Sequence, residues 1–170
     1  MKEKSLLAFC ALVSLTALAH PADQKEYLSP NGKYRAYVIA LPKARYGSGE
    51  SKIVIRTKDG KTLCSESYGS KDGEHGFGVE KAAWTPDSGF FVYSMSSSGG
   101  HQPWHSPIHF ISVQDFKARR LDDHVGSITH PDFELHAPDT IRAVATQKAI
   151  GDEAPFEIRL SELVAREKKK

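Results

Sequence analysis

Apolar and polar positions alternate over short runs along most of this chain, and turn residues punctuate them. Tyr34 to Leu41, Lys52 to Arg56, Thr62 to Tyr68, Val79 to Trp84, Phe90 to Ser96, Ile108 to Val113, Thr140 to Thr146 and Phe156 to Leu160 each read as a strand. The apolar, aromatic run Phe90-Phe91-Val92-Tyr93 predicts a buried strand. Only Ser161 to Arg166 has room for a helix, with Ser161 as its N-cap, and a return strand is the alternative there. His20 to Leu28 is polar and shows no clear period. The pattern therefore predicts an all-β chain of antiparallel hairpins.

Turn signals recur with the strands. Trp84-Thr85-Pro86-Asp87-Ser88-Gly89 runs into Phe90-Phe91-Val92-Tyr93, and Pro86, Asp87 and Gly89 are suited to a tight turn, with Gly89 free to take a positive φ. Ser29-Pro30-Asn31-Gly32-Lys33 before Tyr34 is a second copy, and His130-Pro131-Asp132-Phe133 a weaker third. These turns begin at 29, 85 and 130. An apolar-x-apolar marker follows each one, at Ile53-Val54-Ile55, Ile111-Ser112-Val113 and Ile158-Arg159-Leu160. The two series of intervals, 56 and 45 residues against 58 and 47, nearly coincide. They predict three repeats in one domain spanning residues 20 to 170.

A Ser/Thr-Pro-Asp/Asn turn, an aromatic strand, a loop and an apolar-x-apolar strand resemble the repeat of TolB-type, WD40-like β-propellers. The resemblance implies blades of antiparallel strands and a role as a protein-binding platform, or as the non-catalytic half of a peptidase. Propellers close with at least four blades, each of about 40–45 residues. Three repeats fall short of that. Two chains completing one ring, a compact sandwich or barrel, and a half-ring with covered edges all remain open.

The ends of the chain bear on location. Lys2 and Lys4, the apolar stretch Ser5 to Leu18 and Ala17-Leu18-Ala19 form the pattern of a secretory signal over residues 1 to 19. The stretch is too short for a membrane span of about 20 residues. Secretion, most simply to a bacterial periplasm, is expected. Removing the signal takes Cys10 with it and leaves Cys64, so no intramolecular disulfide is expected and Cys64 should be a buried, inert thiol. The net charge of +2 is small, and its one cluster is Lys168-Lys169-Lys170. No nucleic-acid partner is expected from so little basic surface.

Candidate chemistry gathers in the loops. Lys43 to Ser51, Ser97 to Pro107 and Gln147 to Pro155 are equivalent by repeat phase and should share one rim. The middle loop carries His101, Trp104 and His105, and His109 stands just inside the next strand. Trp104, flanked by glycines and prolines, is a rigid aromatic anchor of the kind that dominates protein-binding hot spots. Together with His101, His105, Arg45 and Tyr46 it forms the expected partner-binding face for a protein or peptide. The alternative is a metal site, in which His101, His105 and His109 hold Zn²⁺ or Cu²⁺. Pro103 and Pro107 exclude a helix that would align these imidazoles. The chain has no Gly-x-Ser-x-Gly elbow, no His-Glu-x-x-His and no phosphate-binding glycine loop. Asp122-Asp123-His124 reads as a polar turn.

Overall fold

The structure, a computed structural model, describes residues 24–42, 49–99, 105–146 and 152–169. The expected signal segment lies outside them, as do Arg45, Tyr46, His101 and Trp104. Among the described residues no helix is long and apolar enough to cross a membrane.

Among the described residues the strands form three open antiparallel sheets rather than a barrel. The first is a meander of β1 (Gln24–Leu28), β2 (Tyr34–Ala40), β3 (Ser51–Thr57) and β4 (Thr62–Ser67). The second repeats it with β5 (Phe77–Trp84), β6 (Phe90–Ser97), β7 (Ile108–Ser112) and β8 (Ala118–Arg120). A short helix, α1 (Asp122–Val125), leads to the third sheet of β9 (Ser127–Ile128), β10 (Glu134–His136), β11 (Thr140–Thr146) and β12 (Glu153–Arg159). There β9 and β10 share one edge of β11, and β12 lies on the other. The chain then enters α2 (Leu160–Glu167).

The middle sheet is buried on both faces because strand alternation sends neighbouring residues of β6 into two different cores. Phe91, Tyr93 and Met95 join Ala36, Val38, Ile53 and Ile55 of the first sheet. Phe90 and Val92 join Ile141, Ala143 and Ala145 of the third, and Leu160, Leu163 and Val164 of α2 close that core. Cys64 is buried as expected, and burial, with Glu66 beside it, pushes its thiol up to about 11. Such a thiol stays protonated and unreactive.

Backbone hydrogen bonds put the three sheets in a common register. The carbonyls of Lys33, Gly89 and Asp139, each just before a second strand, accept from the N–H of Lys58, Val113 and Leu160, each just after a third strand, at 3.0, 3.0 and 3.1 Å. Tyr34, Phe90 and Thr140 are therefore equivalent. Two sequence expectations shift accordingly. Ile53-Val54-Ile55 corresponds to Ile108-His109-Phe110, three residues before the marker read from the sequence. The third turn is Ala137 to Asp139, between β10 and β11, because Pro131-Asp132 precedes β10 instead of following it.

The two strong turn copies are built alike. Ser29 Oγ accepts from Tyr34 N–H at 3.0 Å and donates to Asn31 at 2.9 Å. Thr85 Oγ1 accepts from Phe90 N–H at 3.0 Å and donates to Asp87 at 2.6 Å. Asn31 and Asp87 in turn accept the N–H two residues on, from Lys33 and Gly89. The left-handed position is Gly32 (φ 69°) in the first turn and Ser88 (φ 64°) in the second. The expectation that Gly89 would supply it was one residue off. The turns are also tied together: Asn31 N–H donates to Ser88 Oγ at 3.0 Å and Asp87 N–H to the Pro138 carbonyl at 3.1 Å.

The N-terminus of α2 departs from expectation too. Arg159, not Ser161, is its N-cap, without a side-chain hydrogen bond. Its first N–H groups are satisfied from the third turn, where Asp139 accepts from Leu160 through its carbonyl and from Ser161 through its carboxylate at 2.8 Å.

Candidate functional site: the loop rim

The end of the molecule opposite the turns carries the stems of the β2–β3, β6–β7 and β11–β12 loops. Two carboxylates that sequence reasoning missed hold this end together. Glu50 stands at the foot of β3 and is only 3% exposed. It accepts from Ser70 N–H and Gly76 N–H, both at 2.7 Å, from Ser70 Oγ at 2.6 Å and from Ser98 Oγ at 2.9 Å. Burial pushes its carboxyl up, but the donors from Ser70, Ser98 and Gly76 outweigh that and hold it below its ordinary value. One side chain thus ties the β2–β3 stem, the β4–β5 loop and the β6–β7 stem. Gly76 is required for this approach, since a Cβ there would lie 2.2 Å from the Tyr68 carbonyl and 2.5 Å from Glu50 Oε1. A cleft of about 300 Å3 opens beside Glu50, bordered by Leu41, Ser70, Lys71 and Asp72.

Asp122 does the same on the other side of the middle sheet. It is 7% exposed and accepts from Ile108 N–H and Ile128 N–H, both at 3.2 Å. His105 Nε2 lies 2.8 Å from Oδ1, the oxygen that also accepts from Ile128. The Asp122 carboxylate therefore joins the foot of β7 to β9 and fixes the expected rim residue His105. Ser106 N–H donates to the Ile128 carbonyl at 2.8 Å, and Ile128 pairs with Ala145 at the end of β11. The Glu50–Ser98 bond thus ties the first sheet to the second and the Ser106–Ile128 bond ties the second to the third, the two meeting across the β6–β7 stem, where Met95 N–H donates to the Pro107 carbonyl at 3.0 Å.

The described members of the expected histidine trio part company. His105 turns to Asp122 on the side of the third sheet. His109, on β7, turns to the first sheet, where Tyr68 Oη lies 3.1 Å from its Nδ1 and 2.5 Å from Tyr93 Oη. Burial lowers the His109 imidazole to about 4 and raises Tyr68 to about 12. His109 is a neutral ring packed against two tyrosines at centroid distances of 5.4 and 5.7 Å. Among the described residues no three His, Cys, Asp or Glu side chains form a group able to hold a metal ion.

No family model matches the chain, and no curated protein sequence matches it. Among solved structures, the crystal structure of a protein from Clostridium novyi NT described as a conserved lipoprotein is similar, with a TM-score of 0.49 and 15% identity over 84% of this chain and 90% of that one.

Proposed function

We propose that this chain is a non-catalytic protein of the cell envelope or secreted space, and that it binds a protein or peptide through its loop rim. The observation that carries the reading is the pair of ties at the rim, Glu50 to Ser98 and Ser106 to Ile128, which flank the β6–β7 stem and fix the feet of three loops relative to one another. Loops on a rigid scaffold are a common device for recognition, because a preset geometry lowers the entropy lost on binding. Trp104 is the proposed anchor, and the proposed face also includes His101, Arg45, Tyr46 and His105, the last of which is held by Asp122. The leader pattern of residues 1 to 19 supports an extracytoplasmic location, with the periplasm as the specific proposal. The repeated turns and the three four-stranded sheets support kinship with TolB-like repeats.

Affinity capture from envelope extract tests the reading with three versions of the chain: wild type, Trp104→Ala, and Lys58→Ala at the opposite end. A partner retained by wild type and Lys58→Ala but lost with Trp104→Ala is the expected result. A folded Trp104→Ala protein that keeps the same partner at full yield overturns the choice of face.

A further inference from the structure

The two internal sheet contacts use corresponding rows of residues, and the same rows stand uncovered at the two ends of the stack. In the first contact, Tyr27, Ala36 and Ile55 of the first sheet meet Trp84, Phe91 and Ile111 of the second. In the second contact, Ala83, Val92 and Phe110 meet Leu135, Ile141 and Ile158. The common register assigns the first of these rows to Glu134, Arg142 and Glu157 on the free face of the third sheet. It assigns the second to Leu28, Arg35 and Arg56 on the free face of the first sheet.

Apolar partners inside the stack are thus replaced by charge at its ends, and the two ends differ in sign. The row on the first sheet carries two arginines and no acid. The row on the third carries two glutamates around one arginine. Leu28 is 56% exposed, the most exposed large apolar side chain described. Arg35 gives Nη1 to Glu26 at 2.7 Å, while its Nε is shielded from solvent without a partner. A groove of about 440 Å3 opens at the edge of the third sheet, between Lys81 of the second sheet and Phe133, Glu134, Arg142 and Pro155 of the third.

We infer that a second copy of this chain docks head to tail, the free face of its first sheet against the free face of the third. Repeating the contact by a two-fold axis closes six sheets into one ring and leaves neither face uncovered. The internal contacts give the pairing. Tyr27 meets Phe91 with ring centroids 5.7 Å apart, and Tyr34 meets Trp84 at 6.1 Å. The corresponding pair across the new contact is Glu134 with Arg35. Opposite charges so placed set both the register and the choice of partner. This surface is separate from the loop rim, so either proposal can fail without the other.

The test is the molar mass of the protein, expressed from its full sequence, by light scattering. Wild type should have twice the mass of one chain. Arg35→Glu and Glu134→Arg should each roughly halve it, by setting like charges against each other. The double variant Arg35→Glu/Glu134→Arg should restore the dimer, since both contacts then pair again in reverse. Glu134 is largely exposed at 65% and Arg35 half-buried at 40%, and circular dichroism checks that each variant is folded. A monomeric wild type overturns the inference, as does a dimer that neither single substitution dissociates.

Discussion

The two ends of the molecule are held together by opposite strategies. At the turn end, the same short hydrogen-bonding pattern is made twice over, by Ser29 with Asn31 and by Thr85 with Asp87, and each copy is assembled from residues within five positions of one another. At the rim, single acceptors gather donors from distant segments. Glu50 collects Ser98 from 48 residues away, and Asp122 collects His105 from 17. Local, repeated order tolerates the loss of one member. Centralised order does not.

Three substitutions sharpen that contrast. Glu50→Ala should cost the most, about 4 kcal/mol, because it removes the acceptor of the Ser70 N–H and leaves the buried Gly76 N–H and the Ser98 hydroxyl to bond only each other. Urea unfolding measures it, and a loss below about 1 kcal/mol would mean that the rim is not centralised on Glu50.

The next effect is one of pH and belongs to His109. Its folded value of about 4 lies below the ordinary 6.5. At pH 7 the ring is neutral in both the folded and the unfolded chain. Between 6.5 and 4 the unfolded chain gains a proton that the folded chain refuses, so stability falls as the pH is lowered across that window. The loss should reach about 3 kcal/mol by pH 4 and level off below it. His109→Phe should remove that part of the slope, and parallel pH profiles of wild type and variant would refute the assignment.

The smallest effect is expected at the turn end, where Thr85→Val should cost about 1 kcal/mol. A cost equal to that of Glu50→Ala would erase the distinction between the ends.

The same contrast decides what could be read from sequence. The turn end was legible, because Pro86-Asp87 and Pro30-Asn31 act through neighbours in the chain. Strand positions followed as well, with β11 matched residue for residue at Thr140–Thr146. The third turn was misplaced because Pro131-Asp132 copies the motif while Pro138-Asp139 does the work, and β1 was missed because its exposed residues show no alternation. Glu50 was not legible at all, and Asp122 read only as part of a polar turn. An acidic residue carries no local mark of the distant donors that will surround it. The histidine spacing misled in the opposite sense. His105 and His109 are close in sequence, but their segments meet Asp122 on one side of the middle sheet and Tyr68 on the other.

The placement of α2 has a consequence for synthesis. Leu160, Leu163 and Val164 seal the core shared by the second and third sheets, and that core includes Phe90 and Val92 from the middle of the chain. A growing chain that has not yet made α2 therefore presents an open aromatic face, however long its earlier hairpins have been in existence. Folding of this protein completes only after that last helix has emerged.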